Sequence, residues 1–304
     1  MSDFAKMLKK GSTVEKFKDA IEKESAKGFT KDEDFWQPTV DAAGNGFAVI
    51  RFLPTPPQDG DDGLPWVKYF SHGFQGPTGL WYIENSLTTL GKDDPVSEYN
   101  SKLWATGVDA NKDIARAQKR KLTYVSNILV VSDPKKPECE GKVFKYKYGK
   151  KIFEKIDESM NPAKYDQAWN PATDKPAIDP FHFLEGANFK LKIRKYEGYR
   201  NYDKSEFDNP TALFGGDAKK LEDLWNQEFS LKALIAPDKF KDYATLKLHL
   251  DKVLGIDTST ARPLGTPVDD VETHAPVRAS TAEGVVLAGS DDDDHLFENL
   301  ARPE

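Results

Sequence analysis

The 304-residue chain contains one cysteine, Cys139. A lone thiol excludes an internal disulfide framework and any zinc site built on several thiolates. Cys139 lies in a PKKPECEGK turn with no activating neighbour and reads as an ordinary thiol. Histidine is also scarce: His72, His182, His249, His274 and His295 are scattered, without the close partners that metal binding or triad chemistry requires. No phosphate loop ending in Gly-Lys-Ser/Thr occurs, and Gly44-Asn45-Gly46 lacks the third glycine and the following helix of a dinucleotide loop. No acid, base and nucleophile cluster emerges, so the reading is of a protein that is not an enzyme. Long apolar runs are missing as well. None approaches the roughly 18 residues of a membrane span, and the N-terminus MSDFAKMLKKGSTVEKF has no signal-like stretch, which points to a soluble intracellular protein.

The chain is 38% hydrophobic and 31% charged, more polar than an average globular domain, so part of its length is not expected to pack. Its net charge of -7 conceals a strong segregation. Residues 256–304 hold 11 acids and 3 bases, leaving 39 acids and 40 bases in residues 1–255. Within that neutral body, residues 112–155 hold 13 bases and 5 acids. Such asymmetry points to a polyanion site and a separate acidic appendage.

Ser12-Thr13-Val14-Glu15 has capping-box spacing, and Val14, Phe17 and Ile21 continue it as a short helix up to Gly28. From Trp36 the period becomes that of strands, with an Asn45-Gly46 hairpin turn in WQPTVDAAGNGFAVIRFLPTPP and further strands in VKYFSHGF, GLWYIEN, LTYVSNILVVSD, GKVFKYKYGKK and ANFKLKIRKYEGY. Residues 93–118 are mildly helical. Helices are predicted at 152–160, 219–235 and 239–254, the last carrying a stripe of Tyr243, Leu246, Leu250 and Val253. After Gly255 periodicity stops, and a flexible linker leads into the tail.

Strand alternation places Phe189, Leu191 and Ile193 on one face and Lys190, Lys192 and Arg194 on the other. In GKVFKYKYGKK it separates Phe144, Tyr146 and Tyr148 from Val143, Lys145 and Lys147. KYEGYRNYDK adds Tyr196, Tyr199 and Tyr202 around Arg200, and Lys119-Arg120-Lys121 precedes Tyr124. Any one of these residues is as well explained by a soluble strand face or a filled core. Three segments with the same mixture favour sequence-tolerant binding of a single nucleic-acid strand, cations tracking phosphates and rings stacking on bases. In the tail, Asp291, Asp292, Asp293 and Asp294 precede Leu296, Phe297 and Leu300, a segment suited to folding onto a partner or to covering the chain's own basic groove.

DAAGNGFAVIRFLP, HGF with LWYIE, KRKLTYVSNILVVSDP, EGKVFKYKYGKKIFEKI and EGANFKLKI with YRNYDKSEF, in that order, resemble the single-stranded DNA-binding proteins of T-even-type bacteriophages over about residues 30–255. The resemblance implies a mainly β fold with added helices (α+β): an N-terminal basic arm for self-association (1–28), an OB-fold barrel core that binds DNA (29–255), and a flexible linker with a disordered acidic tail (256–304). It implies cooperative coating of single-stranded DNA in replication, recombination and repair, in the cytoplasm of the infected host. Tyr99, Tyr124, Tyr146 and Tyr202 match the family's DNA-contacting tyrosines, Tyr199 stands where the family has phenylalanine, and Val125 replaces a tryptophan. Lys9, Lys10, Ser12 and Thr13 resemble the self-association motif, with Gly11 in place of a third base. The acidic tail resembles the part that recruits replication and recombination proteins. The alternative is a non-enzymatic adaptor acting through that tail. The family's structural zinc is held by a histidine and three cysteines. The histidine matches His72, but the cysteine positions fall at Ser86, at or beside Asp94, and at Ser97, so no zinc or other cofactor is expected. Residues 85–118 are then expected to pack around Trp81, Leu103 and Trp104.

Overall fold

The computed structural model describes residues 33–256 except residue 175. The chain divides into two units after Phe35, and the description below concerns the second. The predicted arm helix, the arm residues Lys9, Lys10, Ser12 and Thr13, and the tail residues Asp291, Asp292, Asp293, Asp294, Leu296, Phe297 and Leu300 lie outside the described residues.

The organising element is β5 (Lys121–Ser132), a twelve-residue strand rich in β-branched and aromatic residues. Its length lets it serve two partners along one edge. β3 (Val67–Gln75) pairs with the first part, Val67 opposite Val125 and Ser71 opposite Lys121, and β2 (Gly46–Phe52) with the second, Phe52 opposite Ile128. β6 (Val143–Tyr148) holds the other edge, with Tyr124 opposite Tyr148 and Asn127 opposite Lys145. β4 (Trp81–Asn85) extends β3 as a hairpin. β7 (Phe189–Tyr196) pairs with β2 and carries β8 (Tyr199–Asn201) and β9 (Glu206–Phe207). With the two-residue β1 (Phe35–Trp36), the main path runs β1-β6-β5-β2-β7-β8. The strands and added helices make a mixed α+β unit. The barrel implied by resemblance is not closed: among the described residues no ladder joins the β1–β6 end to the β7–β8 end. Because β5 gives one edge to β2 and β3 in tandem, the sheet forks there.

The predicted hairpin at Asn45-Gly46 is a local turn. Asn45 donates its amide to the Asp41 carboxylate at 2.8 Å, and the left-handed position is Gly44, with φ +82°, while Gly46 already begins β2. Residues 93–118 fold into α1 (Pro95–Ala105) and α2 (Asp109–Ala117). The helix predicted from 152 starts earlier, as α3 (Lys150–Met160), followed by the single turn α4 (Pro162–Tyr165). The helix predicted over 219–235 stops early, as α5 (Ala218–Trp225). Buried Asp59 accepts from Ser230 Oγ and from the Leu231 and Lys232 amides, which holds that stretch as a separate tight turn. α6 (Tyr243–Leu254) buries Leu246, Leu250 and Val253, whereas Tyr243 leaves the predicted stripe and donates to Glu98 at 2.8 Å.

Three apolar clusters result. The first lies between the sheet and α3 and joins Trp36, Phe52, Tyr124, Tyr146, Tyr148, Ile152, Ile156, Phe181 and Phe189. The second joins the β3–β4 hairpin to α1 and α6 through Phe74, Tyr82, Leu87, Val96 and Leu246. The third covers the opposite side of β5 and β6 with Leu213 and Leu224 against Leu129 and Val143. Arg51 is fully buried, and its Nη2 donates to the carbonyls of His182, Phe183 and Thr211. Burial pulls its guanidinium down to about 10.

Candidate nucleic-acid interface

β5 brings together two of the sequence's basic-aromatic segments, because it begins with Lys121 and pairs with β6. Residues 122, 124, 126 and 128 then share a face with Phe144, Tyr146 and Tyr148. Their rings form a column. Trp36 meets Tyr146 edge-on at 5.4 Å between centroids, Tyr146 stacks on Tyr148 at 5.5 Å, Tyr148 on Tyr124 at 5.8 Å, and Tyr124 on Phe153 of α3 at 4.1 Å. Trp66 follows at 5.6 Å from Phe153, and Phe181 at 5.5 Å from Trp66. Offset and edge contacts of this kind suit aromatic quadrupoles and fix the column mechanically.

Tyr124 and Tyr146, expected among the DNA-contacting rings, are only 8% and 2% exposed. Burial, with Tyr202 and Tyr148 nearby, pushes the Tyr146 phenol well above its ordinary value, and burial raises that of Tyr148 despite its bond with Ser126. The members of this cluster that reach solvent are its half-buried rings, among them Phe153 and Tyr202. Arg200 lies close enough to act on Tyr146, which places the third segment beside the second. On β8 Tyr199 is 49% exposed, and Tyr196, opposite it on β7, is 57% exposed. Tyr99 is half-buried on α1 and packs on the second cluster, apart from the column.

The cations divide into three groups. Lys119 and Arg120 follow α2 directly, and the Arg120 guanidinium lies 4.1 Å above the Phe70 ring. Lys121 is exposed at the start of β5, and Lys147 is exposed on β6. Lys145, predicted on the open face with Lys147, is buried: its ammonium sits 5.1 Å from the Phe229 ring, because the third cluster covers this end of the sheet. Neighbouring Glu228 is 3% exposed, and burial, reinforced by Asp59, pushes its carboxyl up to about 9. The predicted alternation of β7 holds, with Phe189, Leu191 and Ile193 buried. Its outer row is not free positive charge, however. Lys190 pairs with Asp208, Lys192 with Glu206 at 2.8 Å, and Arg194 with Asp203 at 3.7 Å. A cavity of about 410 Å³ beside β9 is lined by Glu158, Asp166, Asp174, Glu206 and Asp208 as well as Lys155, the wrong charge for a phosphate chain.

Phe153, Trp36 and Trp66 were not singled out in the sequence. The signal for Phe153 was its place beside Ile152 in a helical stripe that ends in Ile156, which identifies a core-facing helix but not the ring on which it stacks.

The family model described as gp32 DNA binding protein like matches residues 44–254. The single-stranded DNA-binding protein of Enterobacteria phage T4 is 39% identical over 253 residues, 82% of this chain and 80% of that protein. That of Enterobacteria phage T2 is 39% identical over 254 residues with the same two coverages. A single-stranded DNA-binding protein of Escherichia phage SV14 is 41% identical over 100 residues, 32% of this chain and 85% of that one.

Proposed function

The chain belongs to the family of gp32-like DNA-binding proteins, and from that membership we propose that it coats single-stranded DNA without sequence preference and without doing chemistry on it. One observation carries this reading: a single strand, β5, runs from the basic 119–121 segment to Tyr124 in an aromatic column whose half-exposed rings stand within reach of the same path. Phosphates meet Lys119, Arg120 and Lys121. Bases stack on the accessible rings, Tyr199 and Tyr202 from one side and Phe153 from the other. Tyr124 backs the Phe153 ring and Tyr146 stands beside Tyr202, which fixes the height and tilt of those two rings. A duplex, whose base faces are covered, gains only the phosphate contacts.

The forked sheet serves as the partly open barrel of an oligonucleotide-binding fold, with its strand surface as the platform. The chain works in phage DNA replication, recombination and repair in the host cytoplasm. The N-terminal arm, through Lys9, Lys10, Ser12 and Thr13, docks successive copies along the strand. The acidic tail recruits replication proteins and competes with DNA for the basic rim. The test is a titration of the full chain with an unstructured oligonucleotide and with duplex, followed by tryptophan and tyrosine fluorescence at several salt concentrations. Quenching chiefly by the single strand, with affinity falling steeply as salt rises, is the expected result. Equal response to duplex, or indifference to salt, refutes the reading.

A further inference from the structure

The three positions at which the resembling family places cysteine ligands, with His72, converge in this structure on a different centre. Asp94, 1% exposed, caps α1. Its Oδ1 accepts from the amides of Val96 and Ser97, both at 3.1 Å, and faces His72 Nε2 at 3.2 Å. Its Oδ2 accepts from Ser86 Oγ at 3.0 Å and from the Leu87 amide at 3.1 Å. The other ring nitrogen of His72, Nδ1, donates to the Gln118 carbonyl at 3.0 Å. His72 and Ser86 are buried too.

This donor set does not fit a structural zinc. Such a site wants four imidazole, thiolate or carboxylate ligands around one point, and here the hydroxyls of Ser86 and Ser97 cannot ionise to replace thiolates. A carboxylate offers about four lone-pair directions, and four protein donors already fill those of Asp94. A cation placed there would meet the positive ends of three backbone N–H groups. Among the described residues no group of three or more His, Cys, Asp and Glu is placed to hold a metal.

We propose that the Asp94 carboxylate is the metal-free structural centre of residues 72–118, standing against His72 of strand β3 and tying the 86–90 turn, through Ser86 and Leu87, to the first amides of α1. Through the His72–Gln118 link it also fixes the end of α2, immediately before Lys119. Each of the four donors to Asp94 is buried or half-buried, and removing their acceptor leaves polar groups without a partner. The expected packing around Trp81, Leu103 and Trp104 is corrected at Trp81 alone, since Leu103 and Trp104 are half-buried. Trp81 is 45% exposed on the outer face of β4, and Trp104 lies under the Arg116 guanidinium at 5.2 Å.

The test uses the full chain purified without added metal. Elemental analysis is expected to find no stoichiometric metal, and the thermal midpoint to be the same with a strong chelator and with added zinc. Ser86→Ala removes one donor and is expected to lower that midpoint by about 3–6 °C. Asp94→Asn, which keeps the volume but loses the charge facing His72 and two lone-pair directions, is expected to lower it further or to prevent folding. One tightly held zinc per chain with a chelator-sensitive midpoint overturns the proposal, and so does an unchanged midpoint in Ser86→Ala. DNA affinity plays no part in these readouts, so a failure of the single-strand reading leaves this inference standing and the reverse.

Discussion

The rim at 119–121 and the outer row of β7 each carry three cations, but among the described residues only the second faces acids. Lys190, Lys192 and Arg194 are met by Asp208, Glu206 and Asp203 across the β7–β9 edge. Among the described residues the rim's marked side-chain contact is Arg120 over Phe70, and no carboxylate pairs with it there. Exposed ion pairs contribute little to stability, yet they cancel the local field that would otherwise draw a polyanion. Charge along a strand is therefore not the same as charge on offer. The tyrosines divide in the same way, Tyr146 buried in the column and Tyr199 open on β8.

Replacing Tyr146 with alanine sharpens that division most. Removing a fully packed ring is expected to cost about 3–5 kcal/mol of stability, read from denaturant unfolding; a small loss would mean that the ring is not core. Glu228 gives the next effect. Its folded carboxyl is raised to about 9 from an ordinary 4.5, so the folded chain holds a proton that the unfolded chain has released. Stability is expected to fall as pH rises from 4.5 toward 9, and Glu228→Gln to flatten that fall and to stabilise by a few kcal/mol at pH 8. Alanine at Lys119, Arg120 and Lys121 together is expected to weaken binding uniformly across sequences and to reduce the salt slope by about 2. Tyr199→Ala should cost about 1–3 kcal/mol of single-strand affinity with the thermal midpoint nearly unchanged. The smallest effect is expected for Lys190→Ala with Lys192→Ala: affinity within about 0.5 kcal/mol of the parent and an unaltered salt slope. If this pair matters as much as the rim, the contrast between the two regions is broken.

Much of the strand order along the chain was legible because strand signals are local. The core face of β7 and the β5 and β6 segments appear where alternation and β-branching put them. Helix ends were less legible. The stop of α5 depends on Asp59, more than 160 residues away in sequence, capturing the 230–232 turn. The loss of the cysteine ligands was also plain in the sequence, but not that Asp94 would gather the remaining polar groups.

What the sequence determined by itself was the inventory: which segments become strands, where cations and rings concentrate, and that a single cysteine precludes a multi-thiolate site. Only the tertiary structure decided which of those groups face water. Alternation divides a strand into two faces but says nothing about what covers the second one. Lys145 and Arg51 lie on faces that a lone sheet would leave wet, and they are buried because residues 182–229 fold across them. Burial is set by contacts between segments a hundred residues apart, such as Asn127 with the Phe229 backbone. Periodicity over a few residues carries no record of them.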